Sequence, residues 1–188
     1  LDAIKKFMIE KNVYHKLNDY IKASGDLAVK LYKEDIEAAL RTKDFGGFEL
    51  LSLSDYTGQS TATVGILDVF YESKGLISHD EFKNFAGEAV PLFKAKRIFK
   101  NTDTLEAELD LYDFGEKKIN NPVYNLTVQN GKQVFYKTST TESKVSIPLN
   151  SITKSTMLSV ILEVNGYKNT WRIFVFAENK IENNVRMI

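Results

Sequence analysis

The sequence contains no cysteine, and among its 188 residues there are only two histidines, three prolines and one tryptophan. Without cysteine the chain can form neither a disulfide nor a thiolate nucleophile. His15 and His79 lie in different helical segments, so the sequence supports neither a histidine metal site nor a histidine-based catalytic triad. We therefore expect no metal ion and no cofactor.

The sequence also lacks an excess of charge, because 25 Lys and Arg residues balance 25 Asp and Glu residues. Such a chain has no basic field to attract nucleic acid or an anionic membrane surface. No apolar run approaches the roughly 20 residues that span a bilayer. We expect neither nucleic acid nor membrane as a partner, and a globular fold, because 43% of the residues are apolar.

The first part of the chain carries helical patterns of apolar residues. They predict one helix over residues 1–10 and a second over residues 13–25, which ends at Ser24-Gly25 because glycine favours helix ends. A third helix is predicted to continue to about Thr42. In it, Lys33 and Glu37 form an opposite-charge pair four residues apart, typical of a solvated face.

Residues 45–75 have a different pattern of apolar and polar residues. After a Gly-Gly break, the apolar run from Phe48 to Ser54 predicts a strand, residues 55–61 a polar loop, and residues 64–75 a helix. In α/β enzymes the loop at the carboxyl end of such a strand contacts substrate. A single parallel strand cannot satisfy its own backbone groups. We therefore expect the chain to be a fragment, and its unpaired strand to favour self-association.

Beyond residue 75 the period of the apolar pattern changes. Ser78 and Glu81 predict a capping box that opens a short helix. Alternating apolar residues then predict about seven strands between residues 92 and 175, with turns at Asn130-Gly131 and Asn165-Gly166, a density typical of an immunoglobulin-like sandwich.

Together these patterns predict an α+β chain of two domains. Residues 1–90 are expected to form a helical segment with one barrel-type strand, a partial β/α barrel. Residues 91–188 are expected to form an immunoglobulin-like antiparallel β-sandwich.

The polar loop offers the candidate binding residues Asp55, Tyr56 and Gln59. Asp55 and Gln59 carry hydrogen-bonding groups suited to sugar hydroxyls, and Tyr56 carries a flat apolar face suited to a pyranose ring. Alternatively, Asp55 and Gln59 satisfy the loop backbone while Tyr56 packs in the core. Residue types alone favour neither interpretation.

Hydrolysis of a glycosidic bond requires two carboxyl groups about 5 to 9.5 Å apart. Glu49 and Asp55 would lie roughly 20 Å apart along a strand, which is too far. Glu34 and Glu37 are close on a helix, but their lysine partners favour a solvated face. Asp68 and Glu72 lie one turn apart on the predicted helix over residues 64–75, where repulsion would raise one pKa, yet nearby water favours a surface role. We assign no catalytic residue.

Several runs of the sequence resemble a known family. They are Ala23-Ser-Gly25, Leu31-Tyr-Lys-Glu34, Ile36-Glu37, Leu40-Arg-Thr42, Phe45-Gly-Gly-Phe-Glu-Leu-Leu51, Asp55-Tyr-Thr-Gly-Gln59, Val64-Gly-Ile-Leu67 and Ser73-Lys-Gly-Leu-Ile77. These runs resemble the end of the catalytic barrel of glycoside hydrolase family 2-like enzymes, the β-galactosidase-like proteins of polysaccharide-degrading gut bacteria. Asn169-Thr-Trp171 followed by Ile173-Phe-Val175 resembles the last strand of the immunoglobulin-like domain that follows that barrel.

The resemblance implies that the whole protein is a periplasmic or extracellular glycosidase that hydrolyses terminal, β-galactoside-like sugars of glycans. Its catalytic glutamates would lie on the fourth and seventh barrel strands, upstream of this chain, so the chain would be inactive alone. Residues 48–54 would be the eighth strand and residues 55–59 one wall of the substrate pocket. The chain has Ser52 and Thr57 where family members often have Asp and Pro.

Two other interpretations remain open at this point. The chain could be a non-catalytic module in which a helical part and an immunoglobulin-like domain bind glycan or protein. It could also be a spacer that positions neighbouring domains.

Overall fold

The structure is a computed structural model that describes residues 2–56, 58 and 63–178. The chain divides into two compact units, Leu1–Ala86 and Gly87–Ile188, which we call the N-terminal unit and the C-terminal unit. All the helices lie in the first and all the named strands in the second, so the described chain is α+β. The division falls slightly before the boundary at residue 90 that the sequence suggested.

The N-terminal unit begins with two α-helices where the sequence predicted three. Helix α1 spans Asp2–Glu10, a 3₁₀ turn covers Tyr14–Lys16, and helix α2 runs without a break over Leu17–Arg41. The predicted helix end at Gly25 is therefore wrong. A Cβ atom at Gly25 would collide with a methyl group of Leu76. Glycine therefore lets the Leu76 side chain lie close to α2, although glycine inside a helix costs roughly 1 kcal/mol.

The described residues between Thr42 and Ser78 form no helix, and their only ladder contacts are two isolated bridges. The predicted strand from Phe48 to Ser54 and the predicted helix over residues 64–75 are therefore wrong. Only Ser54 pairs, through one parallel bridge with Leu67. A lone strand without neighbours cannot build a parallel ladder. The described residues thus show no partial barrel, and self-association through an unpaired strand stays a prediction.

Helix α3 spans His79–Ala86 and confirms the predicted capping box. The Glu81 amide donates to Ser78 Oγ at 3.2 Å, and the Ser78 amide donates to Glu81 Oε2 at 3.0 Å. Hydrogen bonds from the Ser78 backbone and hydroxyl lower the pKa of Glu81. None of the helices in the described residues is long and apolar enough to cross a membrane.

The C-terminal unit consists of strands, and the predicted strand near residues 92–99 is in fact two. The strands are β1 Ala89–Lys94, β2 Ile98–Lys100, β3 Thr104–Asp113, β4 Tyr124–Asn130, β5 Gln133–Thr140, β6 Lys144–Pro148, β7 Thr156–Val164 and β8 Tyr167–Phe176. They form a three-stranded sheet of order β1-β3-β6 and a five-stranded sheet of order β2-β8-β7-β4-β5. All neighbouring pairs are antiparallel except β2 with β8.

Both predicted hairpins form. The turn between β7 and β8 is Asn165-Gly166, with φ values of 52° and 87°, as the left-handed residues of a two-residue hairpin turn require. Between β4 and β5 the loop is Gly131-Lys132, one residue later than predicted, because Asn130 pairs with Gln133. A register shift between Val128 and Gln129 accompanies it.

One core of buried side chains draws on both sheets. Every second residue is buried from Leu105 to Leu109 on β3 and from Asn169 to Val175 on β8, which confirms the predicted alternation over those residues. Phe93 of the smaller sheet contacts Trp171 of the larger one, with ring centroids 5.3 Å apart. Asn169 also lies on the inward side of β8, and its Nδ2 donates to the Pro91 carbonyl at 3.0 Å. That bond satisfies a polar pair inside an apolar core.

The loop after β3 is closed by the carboxylate of Asp113. The Gly115 amide donates to Oδ1 at 2.9 Å, and the Ile119 amide donates to Oδ2 at 2.6 Å. The bond from Ile119 is the main cause that lowers the pKa of Asp113, and the Gly115 bond and the Lys118 charge act in the same direction. The ionised side chain therefore stabilises this loop.

We expect Asp113→Asn to destabilise the C-terminal unit at neutral pH, because an amide has one acceptor oxygen for two backbone donors. The pKa of Asp113 is lower in the folded than in the unfolded chain, so its stabilisation is present above the unfolded pKa and lost as pH falls through the folded pKa. Denaturant titrations of both proteins should show a difference at neutral pH that shrinks on acidification. A difference independent of pH would contradict this role.

Candidate functional site

The candidate loop is closed at its base by the two isolated bridges. The Asp55 amide donates to the Leu67 carbonyl at 3.0 Å, and the Leu67 amide donates to the Leu53 carbonyl at 3.0 Å. A second, antiparallel bridge joins Leu67 to Ser73. Three segments of the chain therefore run side by side here, and they bring residues that are far apart in sequence to one place.

Asp55 and Lys74 form an ion pair at that base. Asp55 Oδ1 accepts hydrogen bonds from Lys74 Nζ at 2.7 Å and from the Gly65 amide at 2.9 Å. Lys74 Nζ also donates to the carbonyls of Gly65, at 3.0 Å, and Thr63, at 3.3 Å. The three donors of the ammonium group thus have three acceptors. The side chains of Lys74 and Asp55 are only 25% and 10% exposed, so the pair is partly shielded from solvent. We call Asp55, Lys74 and Gly65 the loop clamp.

Gly65 allows the backbones at the clamp to approach closely. A Cβ atom at this position would lie 2.5 Å from the Asp55 amide nitrogen and 2.7 Å from the Leu67 carbonyl oxygen. Backbone atoms cannot give way as a flexible side chain can. Any other residue at position 65 would therefore displace the bridge between Ser54 and Leu67.

The structure supports the internal role of Asp55 that the sequence left open, since Oδ1 stabilises the loop backbone. Tyr56 does not pack in the core, because its side chain is 63% exposed. Gln59 lies outside the described residues. Sugar binding by Asp55, Tyr56 and Gln59 stays a prediction. In that prediction, the exposed ring of Tyr56 contacts the sugar next to the loop clamp.

Sequence reasoning missed Lys74 and Gly65 as members of this site. They lie 19 and 10 residues from Asp55, so no local pattern connects them. Both residues do occur in the runs that resemble the barrel enzymes, within Ser73-Lys-Gly-Leu-Ile77 and Val64-Gly-Ile-Leu67. The resemblance of those runs was the one feature of the sequence that grouped Lys74 and Gly65 with Asp55.

Two of the acidic pairs considered from the sequence, Asp68 with Glu72 and Glu34 with Glu37, have other surroundings than expected. The helix that would have placed Asp68 and Glu72 one turn apart is absent, and Asp68 Oδ1 instead accepts from the amides of Phe70, at 2.8 Å, and Glu72, at 3.0 Å. Glu37 is fully buried and pairs with Lys33 and Arg41, so the solvated face predicted for it is wrong. Within residues 2–56, 58 and 63–178, no three acidic or histidine side chains converge as a metal site requires.

Replacing Lys74 by Met should loosen the loop clamp. The change removes the charge that holds Asp55 and two carbonyls, and such charge-assisted bonds contribute about 1–2 kcal/mol in a partly exposed setting. We expect the Gly65 amide to exchange its hydrogen with solvent several-fold faster, measured by NMR. Lys43→Met, at an exposed position of the same unit, is the matched control. Equal exchange rates in both variants would show that Lys74 does not hold the loop.

Comparison with known proteins places a match in the C-terminal unit alone. A family described as a domain of unknown function (DUF8488) matches residues 103–177. No curated protein matches the chain. The strands from β3 to β8 are therefore similar to that domain family, and the match leaves the N-terminal unit and the loop clamp uncovered.

Proposed function

We propose that the chain is the C-terminal portion of a glycosidase of the family 2-like, β-galactosidase-like type. In this proposal the N-terminal unit is the end of the catalytic barrel and the C-terminal unit is an immunoglobulin-like sandwich. The parent enzyme removes terminal sugars from glycans, and its catalytic glutamates lie outside this chain. The sugar substrate is implied by the sequence runs that resemble family 2-like enzymes. The position of the N-terminal unit within a larger barrel is supported by its exposed apolar surface.

The observation that carries the proposal is the exposed apolar surface of the N-terminal unit. Its buried apolar residues in the described part are Ile36, Leu40, Ile66 and Phe85. Its large apolar side chains that remain exposed are far more numerous: Ile4, Phe7, Ile9, Tyr14, Tyr20, Ile21, Leu27, Leu31, Phe45, Phe48, Leu51, Leu53, Tyr56, Val64, Val69, Phe70 and Tyr71. A unit with so much exposed apolar surface normally packs against something else.

Helix α2 illustrates the same point. At about 100° per residue, Val29, Ile36 and Leu40 lie on one side of the helix, while Leu27 and Leu31 lie roughly opposite. Ile36 and Leu40 are buried, whereas Leu27 and Leu31 are 56% and 55% exposed. A helix that is apolar on two opposite sides is suited to a position between two layers.

In this proposal the remaining βα units of a barrel cover that surface. Residues 48–54 would then become a strand only when strands on both sides accept their backbone hydrogen bonds. Tyr56 and the clamped loop would follow the carboxyl end of that strand, where barrel enzymes bind substrate. The clamp fixes the base of the loop, so Tyr56 can offer its ring without a large loss of conformational entropy.

For the C-terminal unit, the proposed immunoglobulin-like sandwich is supported by its topology. It has two sheets, antiparallel neighbours with one short parallel pair, and a shared core. Since the matched family covers only this unit, a second candidate function is a separable non-catalytic module that binds glycan or protein. Saturable glycan binding by this chain, abolished by Tyr56→Ala and retained by Tyr20→Ala, would favour that second function.

Activity assays on the natural gene product and on residues 1–188 test the proposal. With aryl β-galactosides as substrates, we expect hydrolysis by the longer product and none by residues 1–188. Tyr56→Ala in the longer product should raise KM more than it lowers kcat, because the ring contributes binding, not proton transfer. Hydrolysis by residues 1–188, or none by the longer product, would overturn the proposal.

A further inference from the structure

Helix α2 contacts the segment that follows the candidate loop at two points. The Tyr32 hydroxyl donates a hydrogen bond to the Val64 carbonyl at 3.1 Å. Earlier on the same helix, Gly25 lies so close to Leu76 that an added Cβ atom would come within 2.3 Å of a Leu76 methyl carbon. Gly25 and Tyr32 are seven residues apart, which is two helical turns, so both contacts lie on one side of α2.

The two residues that α2 contacts flank the loop clamp in sequence. Val64 directly precedes Gly65, and Leu76 follows Lys74 by two residues. Gly65 and Lys74 are the two members of the clamp that bond to Asp55 Oδ1. Each of them is therefore held, through a near neighbour in the chain, on the same side of α2.

One peptide group connects the Tyr32 contact to the clamp. The Val64 carbonyl and the Gly65 amide belong to the same planar group, and in a trans peptide they point in opposite directions. Tyr32 donates to the carbonyl oxygen at one end, and Asp55 Oδ1 accepts from the amide at the other end, at 2.9 Å. Bonds at both ends restrict rotation of the group. Each bond also polarises the group in the direction that strengthens the other bond.

We propose that Tyr32 is a positioning residue for the candidate loop and that α2 is the support on which the loop clamp is held. Without the Tyr32 hydroxyl, the Val64–Gly65 peptide group is free to rotate, and the bond from the Gly65 amide to Asp55 weakens. The clamp then holds the base of the loop less firmly. Tyr56, which directly follows Asp55, is the exposed residue whose position depends on that base.

The consequence for sugar binding rests on the proposed function. In that function the ring of Tyr56 contacts a sugar, and its loop loses conformational freedom when the sugar binds. A loop that is already held in place loses less entropy and therefore binds more tightly. Tyr32 acts through a backbone peptide group, so we expect it to affect sugar binding and not the chemical step.

Tyr32→Phe in residues 1–188 tests the positioning role, because it removes the hydroxyl and retains the ring. By NMR, we expect the Gly65 amide to exchange its hydrogen about two- to tenfold faster, the effect of losing one hydrogen bond. Amides of α2 should exchange as in the wild type. Tyr20→Phe, at an exposed tyrosine of the same helix, is the matched control and should leave the Gly65 rate unchanged. Unchanged Gly65 exchange in Tyr32→Phe would overturn the proposal, as would an equal loss of protection along α2.

Gly25→Ala is the second variant, because it should change the helix and the loop in opposite directions. Alanine stabilises a helix interior relative to glycine, so amides of α2 should exchange more slowly. The added methyl group displaces the Leu76 side chain, so the Gly65 amide should exchange faster. If both regions exchanged more slowly, α2 would not be the support of the clamp.

Tyr32→Phe in the longer gene product tests the link to sugar. With aryl β-galactosides, it should raise KM several-fold and leave kcat nearly unchanged. An unchanged KM beside faster Gly65 exchange would contradict the link to sugar and retain the positioning role. No hydrolysis by the longer product would refute the proposed function, whereas the exchange measurements on residues 1–188 would still decide the role of Tyr32.

Discussion

Replacing Trp171 by Ala should lower the unfolding free energy of the C-terminal unit by about 3–5 kcal/mol. The indole is only 3% exposed, and its ring packs against Phe93 of the other sheet. Truncation would leave a cavity between the two sheets that the surrounding strands cannot fill without losing their own packing. Denaturant unfolding followed by far-UV circular dichroism measures the effect.

Thr170→Ala is the matched control for this prediction. Thr170 precedes Trp171 on β8 and its side chain is exposed. A substitution there should change stability by no more than about 0.5 kcal/mol. An unchanged transition for Trp171→Ala would show that the indole does not join the two sheets.

Replacing Glu37 by Ala should destabilise the N-terminal unit by about 2–3 kcal/mol. Glu37 is fully buried on α2 and pairs with both Lys33 and Arg41. Loss of one partner from a buried charge pair costs about 3–5 kcal/mol when the remaining charge stays buried. Lys33 and Arg41 are 18% and 22% exposed, so hydration reduces that cost. The measurement is the loss of helical circular dichroism with denaturant.

Glu34→Ala provides the comparison, because Glu34 lies on the same helix and is exposed. Exposed ion pairs contribute at most about 1 kcal/mol, so this variant should unfold nearly as the wild type does. If the two variants lost the same stability, burial of Glu37 would not be the reason for its effect.

The C-terminal unit was predictable because its strands find their partners within the unit. Alternating apolar residues on β3 and β8 predict strands with one buried side. Asn165-Gly166 predicts the turn between β7 and β8. Such patterns follow from the two-residue period of a strand. The short strand β2 has too few residues to show a period, so the sequence predicts a single strand where β1 and β2 lie.

The N-terminal unit was harder to predict because its structure depends on contacts that are distant in sequence. Gly25 lies inside α2 and Leu76 packs close to it, a contact across 51 residues that no local pattern reveals. The run from Phe48 to Ser54 has strand character but no neighbouring strands in the described residues. Intrinsic preference is a weak guide where tertiary contacts decide.

The candidate site was predictable only in part, because some of its residues are also distant in sequence. The hydrogen-bonding side chain of Asp55 and the flat ring of Tyr56 made both residues candidates from the sequence. The structure shows that Asp55 accepts a hydrogen bond from the Gly65 amide and that Tyr56 is exposed. Lys74 completes the loop clamp from a separate segment. Chain topology, not spacing, brings its ammonium group to Asp55.

Under the proposed function, the N-terminal unit is an incomplete layer whose apolar surface would be covered by the rest of a longer enzyme. Residue-resolved hydrogen exchange tests it most directly. In residues 1–188 alone, amides of α2 and α3 should exchange through openings of much lower free energy than amides of β7 and β8. In the longer gene product, protection of α2 should rise markedly. Protection of α2 equal to that of β8 in residues 1–188, unchanged in the longer product, would contradict the claim.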